Sequence, residues 1–228
     1  MLVGSALITS ASLAYFDFDV LPPFVIEKLP VRFESLWLAS LRVHVASASL
    51  SFPLCILLMT RWLQRRPSVH RALGRVVGVL VLLALVPSGV VLALDAKGGK
   101  VVSAGFLLSA AIVAGCMASG IALARRRDFA GHRRAMRHVV GQMSVAVSSR
   151  VLILGLDAIG VDPGLSYVVA LWGPVLASAA LAELVSMRAP FITPKSVHSV
   201  ERISREVPPL APLVRVRAVV RPVARLGG

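Results

Sequence analysis

Five long apolar stretches, each closed at both ends by charge or by a helix breaker, fix what this chain can become. They run from Leu36 to Thr60, Ala72 to Leu94, Val101 to Ala124, Ala135 to Leu156 and Leu165 to Met187. A helix needs about 20 such residues to cross the roughly 30 Å hydrocarbon layer of a bilayer. A weaker sixth candidate, from Leu2 to Phe18, is rich in Ser, Ala and Thr. It lacks the Lys or Arg that precedes the apolar run of a signal peptide, so it reads as a first span. In lipid every backbone N–H and C=O must be satisfied within the protein, which here leaves helices. The expected fold is therefore an all-α membrane protein with six transmembrane helices over residues 1–187. Composition agrees: 57% of the 228 residues are hydrophobic and only 16% are charged, against about 25% charged in an ordinary soluble domain. A soluble globular enzyme, a disordered chain and a collagen-like chain are all excluded.

Breakers sit between the runs. Asp95 to Lys100 contains Gly98-Gly99, Asp162-Pro163-Gly164 follows the fifth span, and Pro22-Pro23 and Pro30 interrupt the segment after the first. Pro has no N–H and ends a helix. Basic residues set the orientation. Arg61, Arg65, Arg66, Arg71 and Arg75 surround one loop, and Arg125, Arg126, Arg127, Arg133, Arg134 and Arg137 surround another. The tail, 188–228, adds further Arg and Lys among six prolines. The opposite side carries only Lys28, Arg32, Lys97 and Lys100. The positive-inside rule then places the basic side and both termini in the cytoplasm. The net charge of +14 is thus mainly a topology signal, and nucleic acid is not an expected partner. The expected partners are the bilayer, with anionic lipid against the basic face and tail, and other membrane subunits.

The two basic loops resemble each other. His70-Arg71-Ala72-Leu73-Gly74-Arg75-Val76-Val77-Gly78 aligns with the segment ending Arg137-His138-Val139-Val140-Gly141 when Gly78 is set on Gly141. On that offset the four central spans form a core four-helix bundle made of two duplicated hairpins, a parallel repeat of the kind some transporters use. Convergence of two basic loops on similar composition is the alternative.

One set of motifs is more specific. It comprises His44, Arg65-Arg66-Pro67, His70-Arg71-x-x-Gly74-Arg75, Pro87-Ser88-Gly89, Gly105-Phe106, Arg127-Asp128 and His132-Arg133-Arg134-x-Met136. In this order and spacing they resemble an uncharacterised family of bacterial multi-pass membrane proteins, a domain of unknown function, over residues 35–187. The sequence departs from that pattern at His138, where an arginine is expected. The resemblance implies a bacterial inner-membrane protein and supplies no activity.

Ionisable groups within spans mark functional candidates. Arg42, His44 and Arg150, with Ser88, share a depth in the outer half of their helices at about 1.5 Å per residue. Two guanidiniums and an imidazole at one level suit an anionic group or a small ligand such as a lipid, a quinone or a cofactor. The competing reading has Arg42 snorkelling to the surface and Arg150 paired with Asp157 or a carbonyl. A second polar cluster lies at the inner face: His70, Arg71, Arg75, His132, Arg133, His138 and Glu183. Glu183 is expected to meet Arg75 or His138. A haem b held by His70 and His138 stays open, as does a metal on the three histidines, although no Cys or carboxylate at ligand spacing reinforces it. Cys55 and Cys116 lie within apolar runs and read as inert thiols. No phosphate loop, H-E-x-x-H or G-x-S-x-G motif occurs. The sequence therefore favours a non-enzymatic ligand-binding membrane protein. An accessory subunit of a larger complex, and a haem electron carrier or transporter, are the alternatives.

Overall fold

The computed structural model describes residue 10 and residues 13–16, 22–31 and 33–188. The expected first span and the basic tail lie outside these, apart from a short 3₁₀ turn at Leu13–Phe16. Among the described residues the chain is all helical. Short α1 (Pro23–Lys28) precedes α2 (Glu34–Leu58), and one-turn α3 (Arg61–Gln64) leads into α4 (Pro67–Leu94). Then follow α5 (Gly99–Arg125), α6 (Phe129–Ala158) and α7 (Pro163–Arg188). Helices α2, α4, α5, α6 and α7 are each long and apolar enough to cross a membrane.

Several of these helices outrun the apolar stretches that announce them. α6 begins at Phe129, six residues before the run at Ala135. Its 30 residues span about 45 Å at 1.5 Å each, more than the hydrocarbon layer, so the basic first turns extend beyond it. Local chemistry sets the ends. The Asp128 carboxylate accepts from Gly131 N at 2.9 Å and caps α6, and Asp162 Oδ1 accepts from Leu165 N at 2.9 Å at the start of α7. Gly98 turns the chain into α5 at φ 95°. A Cβ there would also come within 2.7 Å of Val102, so both backbone and space require glycine.

Short loops make successive spans antiparallel. The bundle thus has a basic end (58–67 and 125–129) and an acidic end (Asp95, Asp157, Asp162). The largest core cluster draws on four helices: Phe52 and Cys55 from α2, Val77, Val81 and Leu85 from α4, Val113 and Met117 from α5, and Val139 and Met143 from α6. α7 packs on α5 and α6 through Val102, Val145, Leu171 and Val175. Small residues bring backbones close, as lipid-embedded helices require: a Cβ on Gly141 would lie 3.3 Å from the Ser178 carbonyl oxygen. Leu83, Leu154 and Leu181 are 74%, 71% and 60% exposed, which water would penalise and acyl chains would not.

In α4, residues Leu80–Leu85 form a π-helical turn just before Pro87. Val86 N reaches back five residues to Val81 O. Pro87 brings no N–H, so a carbonyl of the preceding turn loses its helical donor. The Ser88 hydroxyl donates back to Ala84 O at 2.6 Å.

Candidate functional site

Toward the acidic end, α2 and α4 bring two of the four outer candidates together. His44 Nδ1 lies 3.1 Å from Leu85 O and 3.4 Å from Ser88 Oγ. Its ring rests on Gly89, where a Cβ would stand 3.0 Å from His44 Cε1. Ser88, but not His44, also lines a small groove of about 240 Å³ between the two helices. The other two candidates are placed elsewhere. Arg42 Nε donates to the Tyr15 carbonyl at 3.2 Å. Arg150 is exposed, and its guanidinium donates to Ala146 O of its own helix at 2.6 Å. Shared depth does not give a shared face, and no hydrogen bond joins Arg150 to His44 or Ser88.

At the basic end the polar groups are more tightly organised. Glu183 of α7 receives Arg134 Nη2 on Oε2 at 2.7 Å and Arg134 Nε on Oε1 at 3.3 Å. His138 Nε2 meets Oε1 at 2.9 Å. Arg134 and His138 stand four residues apart on α6, so they share one helical face. Arg137 on the same helix donates to Ser186 Oγ at 3.1 Å. His132 Nδ1 lies 2.9 Å from Gly120 O, and His70 Nδ1 is buried without a hydrogen-bond partner among the described residues. Arg71, Arg75 and Arg133 are exposed. Of the two partners expected for Glu183, His138 is in contact; the second contact is Arg134, which the sequence reading left out of the cluster. His138 Nε2 is thus taken up by Glu183.

A third feature carries no charge and escaped the sequence reading. Gln142 is 3% exposed at the centre of α6. Its Oε1 accepts from Ser109 of α5 at 2.9 Å. Its Nε2 donates to Val175 O and Ser178 Oγ of α7, both at 3.0 Å. One amide thus ties three helices at mid-span.

These elements frame a groove of about 520 Å³. Near the acidic end α5 and α7 touch: Trp172 Nε1 donates to Val101 O at 3.2 Å, and Gly105 sits under Leu171. Beyond the Gln142 tie the groove opens between α5 and α7, with α6 as its floor. Ala111, Gly115, Cys116 and Ala179 line its apolar half, and Arg134, His138 and Glu183 stand in the half toward the basic end, with Ser119, Leu123 and Gly131. On α5 it extends from Ala111 to Leu123, about 18 Å at 1.5 Å per residue. A Cβ on Gly115 would meet nothing within 4 Å, so the groove is open there. Among the described residues, no three His, Cys, Asp or Glu side chains gather as a metal site would require.

No curated protein and no solved structure matches the chain. The family described as "Predicted membrane protein (DUF2306)" matches residues 41–186, more than half of the sequence and all but the outermost turns of the five spans. The chain belongs to that family of multi-pass membrane proteins of unknown function.

Proposed function

We propose that this protein binds a membrane-dissolved amphiphile in the groove between α5, α6 and α7. The observation that carries the reading is a trough about 18 Å long, apolar in one half and holding the Arg134–Glu183–His138 cluster in the other. Its length suits an isoprenoid or acyl chain. Its polar end is internally neutralised, because the Arg134 charge is met by Glu183. A head bearing uncharged acceptors, such as the carbonyls of a quinone or the hydroxyls of a lipid, fits there better than a phosphate. The outer-half residues offer no comparable site, because Arg42 and Arg150 do not converge on His44 and Ser88.

The wider setting belongs to the same proposal. The protein resides in a bacterial inner membrane with its basic end cytoplasmic, as the Arg asymmetry indicates. Residues 2–18 supply a sixth span, which puts both termini on that side. The central hairpins descend from one duplicated unit. The test is extraction and mass spectrometry of what copurifies with the protein from native membranes. Wild-type protein should retain a near-stoichiometric amphiphile. Gly115→Leu, which places an isobutyl group in open space, should deplete it at least tenfold while leaving helicity unchanged. Equal retention by the variant would refute the site.

A further inference from the structure

Among the described residues, the permanent cations at the basic end of the bundle are all arginines. The loops and helix mouths at 59–78 and 125–138 hold eleven arginines and no lysine, whereas Lys97 and Lys100 stand at the opposite end. Among the described residues only Arg134 of these is in an ion pair. The one acid in these segments, Asp128, caps the backbone of α6. Ten guanidiniums at one end of a membrane bundle are left without an anion from the described protein.

An exposed aromatic stands among them. Trp62 is 57% exposed, and the Arg66 guanidinium lies over its ring at 4.6 Å from the centroid. The pair is held in place from below. Leu63, next to Trp62, is 1% exposed and anchors α3 in the bundle, and Thr60 Oγ1 faces Leu63 N at 3.5 Å at the start of that turn. Phe129, at the mouth of α6, is also 57% exposed. Indole and phenyl rings beside cations at the ends of spanning helices belong to the headgroup level of a bilayer. An acidic protein surface would supply the charge but would not explain the exposed rings.

We infer that the basic end is a binding site for anionic phospholipid, with the stacked Trp62–Arg66 pair as its specific clamp. The indole fixes one face of the guanidinium, and the free edge presents N–H groups in the fork that matches two phosphate oxygens. The indole body packs against the glycerol and upper acyl region. Lysine cannot replace Arg66 in this arrangement, since an ammonium neither stacks as a plane nor offers a fork. The site is separate from the groove and takes a charged head where the groove takes an uncharged one.

The experiment is native mass spectrometry of the delipidated full chain, titrated with phosphatidylglycerol or with phosphatidylcholine of the same acyl composition. The first phosphatidylglycerol should bind at least tenfold more tightly than phosphatidylcholine. Arg66→Lys and Trp62→Ala should each weaken that first binding about fivefold. Arg71→Lys, which keeps the charge on an unstacked residue, should change it less than twofold. Gly115→Leu should leave it intact, which separates this site from the groove. Both variants at the clamp alter exposed side chains, and circular dichroism will verify their folding. Equal binding of the two lipids, an Arg66→Lys protein that binds like wild type, or an acidic protein that displaces the lipid from these arginines would each overturn the inference.

Discussion

Replacing Gln142 with leucine tests whether polar contacts or packing alone hold α5, α6 and α7 together. The amide makes three hydrogen bonds across helices, to Ser109, Val175 and Ser178. Leucine keeps much of the volume and removes all three. The Ser178 hydroxyl retains Val175 O at 3.1 Å, and the Ser109 hydroxyl can turn to a carbonyl of its own helix. The loss is therefore the bonds themselves and not stranded donors. Interhelical hydrogen bonds in lipid average about 0.6 kcal/mol each, so Gln142→Leu should destabilise by about 2 kcal/mol. That is a factor of roughly 30 in the folding equilibrium, at 1.4 kcal/mol per tenfold. Reversible unfolding in mixed micelles, followed by Trp fluorescence or circular dichroism, measures it. A variant as stable as wild type, or more stable, would refute the reasoning and show that close packing of small residues does the joining.

Glu183→Gln should destabilise by less than about 1 kcal/mol in the same assay, because Arg134 and Glu183 are 59% and 37% exposed and such pairs contribute little; a loss of several kcal/mol would mean that lipid desolvates the pair. Gly141→Val should separate α6 from α7, since its first carbon would meet the fixed Ser178 backbone at 3.3 Å; overpacking of this kind costs about 1–3 kcal/mol, while Gly115→Ala, facing open space, should change stability by no more than about 0.5 kcal/mol. Gly89→Ala should push the His44 ring from Leu85 O and lose about 1 kcal/mol. In the background of His44→Ala the same change should lose much less, a coupling that a double-mutant cycle will show or refute.

Hydropathy and charge make the spans legible because they act residue by residue. Leu83 and Leu154 need no partner to be apolar, and Arg125-Arg126-Arg127 marks a helix mouth wherever it occurs. Contacts between helices are less legible because they depend on rotation about each axis. Arg42, His44, Ser88 and Arg150 share a depth, yet only His44 and Ser88 hydrogen-bond to each other. The four-residue spacing of Arg134 and His138 did carry a signal: two basic groups on one face call for an acid on the facing helix, and Glu183 is the acid in α7. Gln142 offered no comparable signal. A neutral amide among apolar residues lowers the hydropathy only slightly, and its importance comes from the register of Ser109 and Ser178 across two interfaces.

The π-helical turn at Leu80–Leu85 has a consequence for how α4 serves two neighbours. A uniform α-helix advances about 100° per residue, so one extra residue in its middle rotates everything beyond it by about that angle. Val77, before the turn, and Val81 and Leu85, within it, face the shared core; beyond it, Ser88 and Gly89 meet His44 of α2. The wide turn works as a gear between the halves. Deleting one residue there would restore a regular α-helix, keep its length and composition nearly unchanged, and swing Ser88 away from His44 toward a different neighbour.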